Sequence, residues 1–384
     1  MTLTVDDYAV EIRDADRRRV GVLAESDLTG LTVTRQAWDA GSWTLSLPIG
    51  SAACDLLDQD GAGIIVTGPD WTMSGPVTSR QLVNDPSDDL GDHVEYAGAS
   101  DAVLLGLPML PDPTKTILAQ SESVAWAGKR ETLMLRALST LPVWHPEVTV
   151  QADQSRGSDA TLTADWQTIL EALQSMHDRE LRFGVSQQED GSLLAWVTPV
   201  SDLSSTIGFT TDTGALKQLT VTRRRPACTR CIVKSTSGDT VSYQEVAPSA
   251  GTALESTWGV IPTLITPDEG TTAASAAAQA VSSAITDMTS ASGTVADDAI
   301  LDGVQPGDVV GVQVGEDEWI TTPVSSITTG FTDGVIQTAT LGDASTVQAR
   351  RASDMQSAAA LADLKRSLDS RLIRRRVARL ERLR

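Results

Sequence analysis

The sequence predicts a mainly β (α+β) fold: two β-barrel domains around a small α+β domain, followed by a C-terminal helix. Three observations carry this. Residues 1–100 and 201–347 consist of short apolar runs, several alternating with period two, separated by Gly, Pro and Asp turns, as barrel and sandwich strands do. Residues 101–200 place apolar side chains at helical spacing instead. Residues 354–383 contain neither Gly nor Pro and are rich in Leu, Ala and Arg, so helix is expected there. The expected domains are therefore 1–100, 101–200 and 201–347, with a helical insert near 266–291 and a basic helix over 348–384.

In the first domain, strands over 8–12 and 19–23 flank a polar turn at 13–16. The clearest stretch is 30–48. Leu31 and Val33 lie two apart, as do Trp43, Leu45 and Leu47, and the turn-prone residues 38–41 lie between the two sets. Successive strand side chains point to opposite faces, so each set lines one face. Residues 51–57 read as a short helix or loop and 63–67 as a strand apolar on both faces. Further strands are expected over 71–78, 80–83 and 94–97, the last two flanking an acidic loop at 84–92.

In the middle domain, Leu133, Ala137, Leu138 and Leu141 have helical spacing, with Pro142 as the stop. Thr163 is the expected N-cap of a second helix carrying Trp166, Ile169, Leu170, Leu173 and Met176 on one stripe. A hairpin follows, with Leu181, Phe183 and Val185 before the turn at Asp190 and Gly191, and Leu194, Trp196 and Thr198 after it. The third domain reads as strands over 207–210, 216–223, 228–234, 241–246, 309–314, 319–327 and 335–341. Thr266, Pro267 and Glu269 fit a capping box with Pro at the first helical position. The Ala-rich run after them, to about residue 291, carries Val281, Ile285 and Met288 on one face.

The net charge of −21 is unevenly spread over the 384 residues. Residues 350–384 hold eleven Lys and Arg against four Asp and Glu, +7, which leaves 19 basic against 47 acidic residues elsewhere, −28. An acidic body with a basic tail argues against broad nucleic-acid binding by the body and points to a tail that docks on something acidic. Three cysteines, Cys54, Cys228 and Cys231, build no disulfide framework. Asp6, Asp7, Glu11 and Asp14 occupy the N-terminal region without an apolar run, unlike a secretory signal, and the apolar patch at 102–110 is too short and Pro-broken to span a bilayer. A soluble chain made in a cytoplasm is expected.

The candidate chemistry is sparse. Cys228 and Cys231 form a lone C-x-x-C in an apparent strand, where i and i+3 face opposite ways, so one buried and one exposed cysteine is expected rather than a metal or redox site. The loop at 84–92 offers carboxylates without the spacing of a calcium loop. His93, His145 and His177 are scattered, and His177 reads as a surface residue. No nucleophile elbow, Walker loop or dinucleotide fingerprint is present. Arg223, Arg224 and Arg225 read as a surface charge cluster. No catalytic, cofactor or metal residue is expected. The C-terminal helix carries an apolar seam of Leu361, Leu364, Leu368, Leu372, Val377 and Leu380. The Leu368 to Leu372 step breaks the heptad with a stutter, and three parallel copies would bring like charges together. A docking helix for a partner with an apolar groove and acidic rim fits this seam; a plain trimeric coiled coil is the competing reading.

The ordered set Tyr8-Ala-Val-Glu-Ile-Arg-Asp14, Arg19-Val-Gly-Val-Leu23, Gly41-Ser-Trp-Thr-Leu-Ser-Leu-Pro48, Gly61-Ala-Gly-Ile-Ile-Val66 and Gly75-Pro-Val-Thr78 resembles the start of minor tail proteins of long-tailed (siphovirus) actinobacterial phages. Residues 166–183, Pro226-Ala-Cys-Thr-Arg-Cys-Ile-Val233 and Gln305-Pro-Gly-Asp-Val-Val310 extend the resemblance over roughly residues 5–347. It implies the tail-hub or baseplate-hub family, in which three copies, each with two similar barrels, adapt a sixfold tail to a threefold tip. By that resemblance the chain is a homotrimeric virion structural protein of the tail tip, assembled in the host cytoplasm and not an enzyme. Its partners are the distal tail protein, other tail-tip proteins and the tape measure protein. Passing DNA crosses without specific binding, and the host cell surface is a further contact. The chain departs from hub types that carry a C-terminal lytic domain, since only a helix is expected after residue 347. Two other readings are a tail-tip receptor or cell-wall polysaccharide binder, with exposed Trp as the binding residues, and a cell-wall glycan hydrolase with two carboxylates across a cleft.

Overall fold

The computed structural model describes residues 7–342, apart from 85–91, 122, 177–179, 211–215, 238–239, 268–271, 287–288, 296–300, 302, 316–317 and 333. The C-terminal helix expected over 348–384, with its six seam residues, lies outside the described residues, as do His177, Met288, most of the acidic loop and Glu269 of the capping box.

The first strand-rich stretch follows the expected order: β1 (Ala9–Arg13), β2 (Arg19–Val22), β3 (Leu31–Gln36), β4 (Ser42–Pro48), helix α1 (Ala52–Leu57), β5 (Gly63–Thr67), β6 (Thr72–Val83) and β7 (His93–Ala99). Leu31, Val33, Trp43, Leu45 and Leu47 are all buried, as their alternation requires. Residues 71–78 and 80–83 are one strand, not two. Trp43 lies opposite Gly98 on β7, where an added Cβ would run into the indole. Arg13, read as part of a turn, is the last residue of β1 and is buried.

The middle region runs β8 (Val124–Lys129), α2 (Arg130–Leu138), α3 (Leu141–Trp144), β9 (Val148–Val150), β10 (Asp159–Ala164), α4 (Ile169–Ser175), β11 (Leu181–Gln187) and β12 (Leu193–Pro199). The stripe of Leu133, Ala137, Leu138 and Leu141 is core, but Pro142 lies in the first turn of the short α3 instead of ending α2. The N-cap of α4 is Thr168, not Thr163: Thr168 and Glu171 form a reciprocal capping box, while Thr163 lies inside β10. Trp166 leaves the stripe. It sits at φ 69° and is exposed. On β12 the buried residues are Leu193, Ala195 and Val197, one position out of step with Leu194, Trp196 and Thr198. Trp196 is held on the other face, over Gly184 of β11.

The last region contains β13 (Gly208–Phe209), β14 (Leu216–Arg223), β15 (Arg230–Ser237), β16 (Thr240–Val246), α5 (Ser249–Trp258), β17 (Pro262–Ile265), α6 (Ala273–Thr286), β18 (Thr289–Val295), β19 (Val309–Gln313), β20 (Trp319–Thr332) and β21 (Gly334–Leu341). The helix expected to reach residue 291 ends at Thr286, and Ala291 belongs to β18. The insert is larger than a helix. Strands β16, β15 and β17 form their own sheet, and α6 covers it through a core of Cys228, Cys231, Val233, Ala277, Val281 and Ala284. This small module, residues 224–288, is carried in the loop of the β14–β18 hairpin, whose last paired residues are Arg223 and Thr289.

Among the described residues the two expected barrels are joined in one sheet and neither is closed. One sheet runs β2-β1-β5-β6-β7-β4-β3-β20-β21-β18-β14, with β19 beside β20 and β13 beside β19, and among the described residues no ladder closes it on itself. The join is β20. Its first part pairs with β19, and its middle, Ser326 to Gly330, lies between β3 and β21. Two cores form on this sheet. One gathers Val10, Ile12, Leu31, Trp43, Leu45, Ile64 and Tyr96; the other gathers Phe209, Leu216, Val295, Val310, Val312 and Leu341. Strand β20 feeds both: Val324 and Ile327 enter the second core, and Phe331 enters the first, edge-on to Tyr8 with ring centroids 5.0 Å apart. A register shift around Ser325 lets Val324 and Ile327, three residues apart, both enter the second core. Truncating Phe331 to Ala is expected to cost about 3–5 kcal/mol. Because the strand is shared, urea unfolding read by tryptophan fluorescence and by far-UV circular dichroism should remain one coincident transition; two separated transitions would contradict the shared-strand account.

Candidate functional site

Among the described residues the molecule presents buried polar seams, a cleft and exposed surfaces. Among the described residues no helix is long and apolar enough to cross a membrane, and no three or more His, Cys, Asp or Glu side chains gather in one place. Both Cys228 and Cys231 are buried and free, which corrects the expected split between inside and outside. Cys228 precedes β15 rather than lying in it, so strand alternation does not apply to the pair. Both thiols point at α6, toward the carbonyls of Ala280 and Ala277. Burial, with Cys228 alongside, pushes the Cys231 thiol up to about 11, the opposite of a reactive thiolate. His93 is buried, and His145 sits beside Glu147. Arg223 bonds both carboxylate oxygens of Glu318 on the surface.

The first seam joins the N-terminal sheet to the middle region. The Arg13 guanidinium donates to both Asp101 oxygens, at 2.8 and 2.6 Å, and to Oε1 of Gln187 at 2.6 Å. Asp101 also accepts from Ser74 Oγ, and Gln187 donates to the Arg17 carbonyl at 2.7 Å. Arg13 and Asp101 are both buried. Above this seam, buried Trp38 in the β3–β4 turn donates Nε1 to the Leu181 carbonyl at 3.1 Å, and Gln174 donates to the Trp38 carbonyl at 3.0 Å. A second seam joins the middle region to the loop before β19, where Arg182 donates to the Pro306 carbonyl and to Asp308.

Between the seams lies a cleft of about 540 Å³ lined from β3, β6, β11 and the loop at Gln305 and Pro306. Its lining carries Arg35 and Arg182 together with Asp39 and Asp70. The Arg35 Cζ lies 4.3 Å from the centre of the Trp71 ring, and Nη1 donates to Gln305 at 2.7 Å. Its Nε is buried without an acceptor. Burial lowers the guanidinium to about 10; Tyr8 opposes the shift and Arg182 adds to it.

On the inserted module, the sheet face turned away from α6 exposes Ile232, Tyr243 and Leu264, with Trp258 and Val260 exposed nearby in sequence. Ile232 is in register with Leu264 on one side and Glu245 on the other.

Two outcomes test these assignments. Asp101→Asn leaves the Arg13 charge buried and uncompensated and should destabilise the fold by about 3–5 kcal/mol. The double replacement Arg13→Met with Asp101→Leu should recover much of that loss, read by urea unfolding. Within the middle region, buried Glu131 accepts from the Arg156 side chain and backbone amide, and the Arg156 bond holds its carboxyl below the usual glutamate range. A carboxyl depressed on folding stabilises above the unfolded value, about 4.3, and loses that contribution as the pH falls through the lower folded value. The unfolding midpoint should therefore drop on acidification below about pH 4.3, and Glu131→Gln should reduce that dependence.

Comparison with known proteins places the fold. No curated protein matches. The described architecture is similar to the prophage MuSo2 43 kDa tail protein from Shewanella oneidensis, with a TM-score of 0.50, 13% identity, and coverage of 87% of this chain and 97% of that one. It is similar to a tail protein from Neisseria meningitidis MC58, with a TM-score of 0.50, 13% identity, and coverage of 88% and 96%. It is also similar to the prophage tail protein gp18 from Listeria monocytogenes EGD-e, with a TM-score of 0.53, 11% identity, and coverage of 91% and 99%. These likenesses give the fold of a phage tail protein. Residues 9–343 match the family described as Siphovirus ReqiPepy6 Gp37-like protein, so the chain belongs to that family.

Proposed function

We propose that this chain is a non-enzymatic structural component of a phage tail tip: a hub of three copies that closes the tail tube, adapts a sixfold tail to a threefold tip and opens to let DNA pass. The observation that supports this most is the pair of strand-built cores on one continuous sheet. Three chains with two such units each present six units around one axis, and in the ring each unit forms a barrel-like wall segment. The acidic body suits the same role, since carboxylates turned to the lumen repel DNA phosphates and keep the duplex from sticking.

In this reading the neighbours are the distal tail protein, the tape measure protein and other tip proteins. The basic arm, with Leu361, Leu364, Leu368, Leu372, Val377 and Leu380 as its seam, docks on one of them. Native mass spectrometry and electron microscopy of the purified full-length chain are expected to give a three-subunit mass and a threefold ring; a stable monomer or another symmetry would overturn the hub. Deleting residues 354–384 should leave the ring intact and stop the next tail component from attaching. Collapse of the ring to monomers would instead make the arm the trimer's glue.

A further inference from the structure

The cleft beside Arg35 has the features of a peptide site. Strand β11 lies along it, and residues 182–188 all contribute to its lining. The strand pairs with β12 on one side only. The bonds Val200 N–H to Glu180 O and Gln188 N–H to Ser192 O mark the positions that face β12, so in an antiparallel ladder the backbone groups of Leu181, Phe183, Val185 and Gln187 face the other way. The two ends of that open edge are taken: the Leu181 carbonyl accepts from Trp38 Nε1, and the Gln187 amide donates to Ser74 Oγ. Among the described residues, the outward amides and carbonyls of Phe183 and Val185 make no hydrogen bond. Two donors and two acceptors thus stand unpaired in a row along the free edge of β11; Phe183 and Val185 are only 4% and 7% exposed, so these groups are reached through the cleft they line.

The charge beside this edge narrows the partner. Among the described residues Arg35 bonds only the neutral Gln305 side chain and stacks on Trp71, and its Nε is buried and unsatisfied. A guanidinium held in that state gains from an incoming anion. Asp70 at the rim is exposed and makes no side-chain bond to Arg35; it acts on the guanidinium only through space, against the effect of burial. A sugar ligand needs an open aromatic face, but Trp71 carries Arg35 on one side and packs against Tyr8, with centroids 6.0 Å apart.

We propose that the cleft takes an extended peptide segment bearing a carboxylate side chain. Its backbone adds a short strand to the open edge of β11 at Phe183 and Val185, and its carboxylate pairs with Arg35. This rests on the cleft alone and stands whether or not three copies form a ring.

The test uses the full chain and the probe acetyl-Val-Glu-Thr-Glu-Val-amide. Calorimetry should show saturable binding, weakened about tenfold or more when both Glu are replaced by Lys, or when the protein carries Arg35→Gln. Methylating the probe's backbone nitrogens should abolish binding. Hydrogen exchange on the native protein should show the amides of Phe183 and Val185 slowed by the probe, a readout that needs no variant. Equal binding of the Lys peptide, binding without protection at those two amides, no binding at millimolar probe, or binding of a galacturonate oligomer in place of the peptide would each overturn the proposal.

Discussion

Strand β20 belongs to two cores at once, and the rest of the chain is arranged around that constraint. Val324 and Ile327 are buried in one core and Phe331 in the other, so a single backbone enters both. A period-two strand cannot slip by one residue without turning its apolar set outward, and here a slip would expose both cores together. Strand β3 and β21 fix the register from the two sides. The register shift at Ser325, where Ser325 Oγ bonds the Thr340 carbonyl, resets the alternation so that Val324 and Ile327 face the same core.

The middle region is attached to this sheet by a few buried polar contacts. The Arg13–Asp101 pair, with Ser74 and Gln187, is directional where an apolar contact is not. Taking two charges out of water is offset only when their geometry is satisfied, so the pair favours one placement of β11 against β6. Trp38 and Ser74 grip β11 at the two ends of its outer edge and leave the middle open. The cleft and the seams are thus one arrangement: a strand docked by its ends has a free centre.

Much of the local structure was legible from spacing. Leu31, Val33, Trp43, Leu45 and Leu47 read correctly because one face of β3 and β4 is buried and the other is not. Leu133, Leu138 and Leu141 read correctly because a helical stripe has one period. The misreadings have specific causes. Both faces of β12 carry large apolar side chains, so alternation alone could not choose between Ala195 and Trp196. Trp166 has the spacing of a helical stripe, and only the Thr168–Glu171 capping pair places the helix start after it. Strand β18 is Ser-, Gly- and Thr-rich and continued the small-residue composition of α6. Pairing between β3 and β20 joins residues nearly three hundred positions apart through Thr-rich faces, including a Thr34–Thr328 hydroxyl contact at 3.0 Å. No local pattern encodes that. The Arg13 network was invisible for the same reason: its members come from β1, β6, β11 and the segment after β7.

The inserted module has a consequence for how this chain diverges. Arg223 and Thr289 sit opposite each other, so the rest of the sheet experiences residues 224–288 as a hairpin loop. The entropy of closing such a loop grows only with the logarithm of its length, and the module brings its own core of Cys231, Val233 and Val281. It can be lengthened, trimmed or exchanged without shifting the register of any strand outside it. Substitutions on its exposed face around Ile232 and Tyr243 touch neither strand β20 nor the two cores that strand serves.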